Sequence, residues 1–337
     1  SNRRITGLEF KPALIWSKTR NYGYHHVLID SVRGVSNKLN SDQEFSENHT
    51  TGGHLASFDD DGITWQYGSG SGNEWWNQRY NYIAWCWKAG GTAVSNTDGD
   101  ITSSVSVNEE AGFSIATYTG STANGALTVG HGLGKKPAWV MIKRRDSSSE
   151  WIVGHKGLDT TNAFTNHKFL KLEETSGVFT NTLVWGAEPT TTVTQIVSDG
   201  NAGAANLTSS GTYVMYSWAE IPGYSSFGRY KGNGHSSTGT YVHCGFRPAV
   251  VIVKNLNTVK HWGMYDNKRA GYNVANYALF PSDESVEDTT EYIDFLANGF
   301  KLRSSAQFQN KSGDIFIYAA FAEQSGQTPY DTFPNAR

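Results

Sequence analysis

Arg247-Pro248-Ala249-Val250-Val251-Ile252-Val253-Lys254 is the stretch on which the fold turns, because it occurs three times. The other copies are Lys11-Pro12-Ala13-Leu14-Ile15-Trp16-Ser17-Lys18 and Lys136-Pro137-Ala138-Trp139-Val140-Met141-Ile142-Lys143. In each, a basic residue precedes the Pro, Ala follows it, and a Lys stands six residues on. Twelve residues beyond each Lys come Asp30, His155 and Asp266, and four residues before those come His26, Trp151 and Trp262. Spacings held across three copies identify an internal repeat. Pro lacks an N–H and suits the first residue of a strand. The residues after it are apolar at odd and even positions alike, which predicts a central strand covered on both faces. The closing Lys is expected to reach solvent while its stem covers apolar surface.

The repeat divides the 337 residues into a first copy over 1–91, a connecting segment over 92–111, a second copy over 112–223, a third over 224–324 and a tail over 325–337. Each copy carries a turn signal, Asp61-Gly62, Asp199-Gly200 or Asn298-Gly299, which supplies the positive φ of a tight hairpin. Each closes on an aromatic strand, at 82–87, 213–218 and 316–321. The second and third copies open on strands ending Tyr118-Thr119-Gly120 and Tyr230-Lys231-Gly232, and the first has no counterpart. That predicts a vacant sheet edge, and it reads the sequence as a fragment of a longer protein. The candidates to fill the edge are the alternating segment Ser103 to Val107, the tail, and a neighbouring subunit. No window sustains a helical period, so the expectation is all-β: three tandem β-sandwich, jelly-roll-like repeats. The short junction Glu220-Ile221-Pro222-Gly223 argues for rigid stacking of the copies.

Composition excludes several function classes. With 28 Lys+Arg against 31 Asp+Glu there is no basic stripe for nucleic acid. The longest apolar run, Ile315 to Ala322, falls well short of the roughly 18 residues of a membrane-spanning helix, so no membrane insertion is expected. Cys86 and Cys244 lie in different copies and read as free thiols, Cys86 in a small-residue slot shared with Ser217 and Ala320.

Catalytic and metal chemistry find little purchase. An EF-hand loop around Asp59-Asp60-Asp61 would need an acid at position 57 and Glu at 68, where Ser57 and Gly68 stand. The column Asp30, His155, Asp266 is the best-placed acid/base candidate, but its occupant changes between copies; the preferred reading pairs Asp30 with Arg33 and Asp266 with Arg269. Gly130-His131-Gly132-Leu133-Gly134 is a loop ahead of a strand, with no helix to make it a phosphate cradle. We therefore assign no catalytic residue, no metal ligand and no cofactor. One segment is singular: Asn73 to Asn81 has no counterpart in the other copies. Trp75, Trp76, Asn77, Arg79 and Tyr80 within it combine flat rings with polar groups, the pairing that a sugar site needs, and they form the candidate ligand-binding set.

The repeated Pro strands, together with 26–34 (HVLIDSVRG), 84–91 (AWCWKAGG), 299–305 (GFKLRSS), 318–323 (YAAFAE) and the closing Asn335-Ala336-Arg337, resemble tail-fibre-like repeat proteins of marine bacteriophages. The resemblance implies a virion-surface, non-enzymatic protein that adheres to host-surface glycan or receptor, contacts other virion proteins and forms a homo-oligomer, a trimer by analogy with phage fibres. The competing readings are a structural virion subunit without ligand and a glycan-cleaving depolymerase.

Overall fold

The computed structural model describes residues 2–49, 53–66, 79–121, 123, 125–198, 211–290 and 292–323. The first copy forms β1 (Asn2–Thr6), β2 (Leu14–Thr19), β3 (Val27–Asp30), β4 (Asn37–Lys38), β5 (Asn48–His49), β6 (His54–Asp59), β7 (Gly62–Gln66) and β8 (Tyr82–Trp87). The connecting segment and second copy form β9 (Val94–Asn96), β10 (Ser103–Asn108), β11 (Phe113–Thr119), β12 (Gly125–Gly130), β13 (Pro137–Arg144), β14 (Trp151–His155), β15 (Lys168–Lys171), β16 (Phe179–Thr180), β17 (Val193–Ser198) and β18 (Thr212–Ala219). The third forms β19 (Ser225–Lys231), β20 (Tyr241–His243), β21 (Val250–Asn255), β22 (Gly263–Asp266), the one-turn helix α1 (Asn267–Ala270), β23 (Ile293–Leu296), β24 (Gly299–Leu302) and β25 (Ile315–Phe321). The chain is all-β, in several antiparallel sheets.

One strand order recurs. In the third copy the opening strand, closing strand, Pro strand and its successor lie side by side as β19-β25-β21-β22, and in the second as β11-β18-β13-β14. The first copy has only β8-β2-β3. Each Pro strand is therefore central, with neighbours on both sides, as its apolar sequence predicts. A smaller sheet accompanies each larger one: β1-β7-β6, β12-β17 and β20-β24-β23. Ser103 to Val107 is indeed a strand, but β10 pairs with β11 and β9 and fills no edge of the first copy.

Alternation along the central strands explains why both faces are apolar. Ile15, Ala84 and Cys86 pack with Ile63 and Trp65 of the first small sheet, and Val251, Val253, Tyr318 and Ala320 pack with Phe295 and Phe300 of the third. The intervening residues Leu14, Trp16, Trp85, Trp87, Ile252, Ala319 and Phe321 face one cluster that also takes in Trp139, Tyr216 and Trp218. At its centre stand three residues from one repeat position: Trp87 lies 5.9 Å from Trp218 and 5.5 Å from Phe321, and the last two are 6.5 Å apart between ring centroids. The copies thus close a ring around a shared core. Each such buried aromatic contributes on the order of 2 kcal/mol by area alone.

Two expectations need correction. The three repeat lysines do not reach solvent: Lys18, Lys143 and Lys254 are at most 1% exposed. The next strand or loop passes over the end of each, and carbonyls take the ammonium groups instead of water. The hairpin turns follow their expected basis in the first copy and not in the third. Asp59 pairs with Gly62 and Leu296 with Gly299, so each Gly opens the second strand; Gly62 has the expected positive φ (+144°), whereas neither Asn298 nor Gly299 has one. A Cβ on Gly62 would lie 2.0 Å from the Ile5 carbonyl oxygen, and one on Gly299 2.0 Å from that of Val242, so the glycines admit the neighbouring strand. Asp199-Gly200 lies outside the described residues. In the second copy the hairpin partner of β17 is Val184-Trp185, across a loop over 186–192, so the turn that matches the other copies is upstream of that dipeptide.

Candidate functional site

The contacts that close the ring also settle what the repeat columns do. Trp151 donates its indole N–H to the Asn40 carbonyl (2.8 Å), and Trp262 donates to that of Lys171 (3.1 Å). The first-copy member of that column, His26, faces the Phe280 carbonyl; burial holds its pKa well below the usual histidine range. Asn40, Lys171 and Phe280 each follow a leucine that bridges its sheet, so the same two positions meet three times, copy to copy, and in two of the three the meeting is a hydrogen bond. The lysines repeat the pattern. Lys143 donates to the Glu44 carbonyl (3.1 Å) and Lys254 to that of Thr175 (2.8 Å), while Lys18 holds its own loop through Thr19 (2.9 Å) and Tyr22 (3.3 Å). Burial lowers Lys18 and Lys143 to about 8 and Lys254 to about 7.

The column Asp30, His155, Asp266 is equally committed to the ring. Asp30 accepts from the Arg33 guanidinium (2.5 Å), the Tyr216 hydroxyl (2.7 Å) and the N–H groups of Val32 (3.0 Å) and Arg33 (2.8 Å). Four donors occupy both oxygens, leaving no lone pair for a substrate. Asp266 pairs with Arg269 (2.6 Å) and accepts from Trp85 of the first copy (3.2 Å). His155 bonds the Tyr318 carbonyl at 3.1 Å, and burial lowers its pKa to about 3. The Asp–Arg pairing expected from the sequence is present in both copies that have the Asp. The Asp59-Asp61 turn is likewise internal: Asp59 accepts from Ser57 and Thr64 (2.6 Å each), and Asp61 from the N–H of Glu9 (2.7 Å).

Of the residues assigned to ligand binding, Trp75, Trp76 and Asn77 lie outside the described residues. Arg79 is exposed and Tyr80 half-buried at the entrance to β8. Around Tyr80 the fold gathers two rings that sequence reading passed over. Tyr22 lies 4.6 Å from Tyr80 and 4.6 Å from Tyr24, and Tyr24 meets Tyr80 edge-on at 5.5 Å. Tyr22 is 45% exposed. The loop that carries it is fixed from below. Its carbonyl accepts from Lys18 and from the Thr19 hydroxyl (2.8 Å), and Arg20 and Asn21 tie it to the Asn81 backbone (2.8 and 2.9 Å). Arg20 reaches on to Glu287 of the third copy (3.0 Å). A Tyr-x-Tyr pair next to a buried lysine was the available signal, but pairing it with Tyr80 requires the β2–β8 ladder.

The result is an all-β protein with a rigidly mounted aromatic surface cluster and no free acid/base pair in the repeat columns. Over residues 1–325 the chain matches the family described as "Domain of unknown function (DUF7483)", and it belongs to that family. No curated protein matches it, and no solved structure does. Among the described residues no helix is long and apolar enough to cross a membrane.

Proposed function

We propose that the chain is a virion-surface protein of the phage tail-fibre or adhesin type that binds host-surface glycan. On this reading it is built as three tandem β-sandwich repeats closed into a ring, works alongside other virion proteins, and assembles as a homo-oligomer, a trimer by analogy. The observation that carries the reading is the Tyr22–Tyr24–Tyr80 cluster. It offers ring faces, with Tyr80 following Arg79 and the singular 75–77 segment in the sequence, and with Tyr22 on a loop held by part-buried hydrogen bonds. Aromatic faces stack on the apolar face of a sugar ring while neighbouring polar groups take its hydroxyls, and a rigid scaffold presenting a loop is the usual mounting for such a site.

A glycan array probed with the wild type, Tyr22→Ala/Tyr80→Ala and Trp75→Ala/Trp76→Ala tests it. Each lost ring should cost on the order of 1 kcal/mol, so each double variant should bind more than about tenfold more weakly while still folded. Equal binding by all three proteins, or none by the wild type, rejects the site. None by the wild type favours the structural-subunit reading, for which the ring of buried contacts between copies is the supporting observation.

A further inference from the structure

Among the described residues, the first copy has a sheet edge with no strand on it. The Trp87 and Asn81 carbonyls accept from the N–H groups of Ala13 and Arg20, which flank β2, so strand alternation turns the backbone groups of Ala84 and Cys86 the other way. Among the described residues neither finds a partner there. The matching residues of β18 and β25 are paired along their whole length by β11 and β19. Side chains report the same deficit. Val214, Met215 and Ser217 are fully buried, as are Ile317 and Ala320, whereas Ile83, Ala84 and Cys86 at the same positions are only half-buried.

Beside this edge runs a groove of about 480 Å³, bounded by β8, by the 7–10 connection and, on the far side, by Val250, Asn267 and Lys268 of the third copy. Its far wall repeats a contact seen elsewhere in the ring. Gly157, in the 3-10 turn after His155, lies so close to the Gly228 carbonyl of β19 that a Cβ would be 2.7 Å from it. Asn267 and Lys268 follow Asp266 as Lys156 and Gly157 follow His155. The groove therefore occupies the position, relative to β8 and the third copy, that β19 occupies relative to β25 and the second.

We propose that this groove is a docking site for one extended polypeptide strand from outside residues 1–337, bearing the pattern of β11 and β19 and pairing antiparallel with β8. The repeat specifies the strand's chemistry. A large apolar residue (Ile115 or Phe227 in the other copies) enters the shared core opposite Trp85, a small one (Ala116 or Gly228) lies opposite Ala84, and Tyr (Tyr118 or Tyr230) follows two residues on. The tail over 324–337 does not match this pattern. Pro329 and Pro334 are five positions apart, so in a strand that spans both, one of them presents a missing N–H to β8. A second copy has already committed its β11 and β19 to its own sheets. Addition of a strand to an exposed edge is an established recognition mode, with backbone bonds for affinity and alternate pockets for specificity. The inference is independent of the glycan reading.

The test uses the full chain and a synthetic peptide with the sequence of residues 112–120. Hydrogen exchange of the Ala84 and Cys86 amides is followed with and without peptide, and oligomeric state by light scattering. In the free chain these two amides should exchange at least about a hundredfold faster than those of β2, and saturating peptide should slow them by about tenfold or more, with β23 and β24 unchanged. N-methylation of the peptide at the positions of Ser114 and Ala116, whose N–H groups face the closing strand, should abolish the effect; at Ile115 and Thr117 it should not. No slowing, or slowing indifferent to which positions are methylated, overturns the proposal. So does protection already present in the free chain, whether it vanishes on removal of 324–337, which makes the tail the occupant, or vanishes when peptide splits an oligomer, which makes it a second copy.

Discussion

Lys254→Gln is the sharpest probe of how the ring is held. The ammonium of Lys254 is fully buried, donates to the Thr175 carbonyl at 2.8 Å and to that of Lys260, and lies 6.0 Å from the Trp262 ring centroid. Gln is shorter, brings two N–H donors in place of three, and buries an acceptor oxygen where Lys has none. Leaving such groups unpaired costs about 1–3 kcal/mol each, so the variant should lose about 2–4 kcal/mol, far more than a surface lysine would. The pH dependence has a definite sign. Burial lowers the pKa from 10.5 to about 7, so between those values the unfolded chain binds the extra proton. Stability must therefore rise with pH across that window, be fully gained above 10.5, and be lost as pH falls through about 7. At about 1.4 kcal/mol per pH unit, the gain from pH 7 to 9.5 is at most about 3 kcal/mol for this residue. Lys18 and Lys143, lowered to about 8, add to it over the upper part of the range. Stopping at about pH 9.5 limits the opposing ionisation of tyrosines in the unfolded chain. Urea unfolding followed by tryptophan fluorescence at intervals over that range, for wild type and variant, measures both effects. A loss under about 1 kcal/mol with an unchanged pH slope would mean that Lys254 reaches water after all, and the reasoning fails.

Two further outcomes follow from the packing. Trp218→Ala removes a ring stacked on Trp139 at 4.5 Å and on Phe113 at 4.9 Å, and should cost about 3–5 kcal/mol. Because the core is shared, calorimetry should show one transition moved to lower temperature; an unfolding of the second copy alone, with the other two unmoved, would contradict a common core. Gly62→Ala and Gly299→Ala each drive a Cβ to 2.0 Å from a carbonyl oxygen of the neighbouring strand, and each should destabilise by more than about 2 kcal/mol in thermal melts. Gly91→Ala, where a Cβ meets nothing within 4 Å, is the control for the strain of its own φ of +90°.

The sequence by itself determined the all-β class, the threefold repeat and the strands within it. Strand character follows from local chemistry: a Pro start, apolar runs, small-residue slots and turn dipeptides, all of which act within a few residues of chain. That the described residues of the first copy lack a counterpart of β11 and β19 was legible in the same way, as a strand present twice and absent once. The Asp–Arg pairs were legible too, because their partners are three residues apart. What only the tertiary structure decided is everything that depends on which copy meets which. A lysine at the end of a strand looks solvent-bound until the carbonyl of the next copy comes to rest on it. His26, Trp151 and Trp262 form a column whose purpose depends on the carbonyls of Asn40, Lys171 and Phe280, more than a hundred residues away in two of the three contacts. Tyr22, Tyr24 and Tyr80 become one surface only when β2 and β8 pair. Periodicity reports which face of a strand is covered, and it carries no information about what covers it. That depends on loop closure and on the shape of the assembled ring.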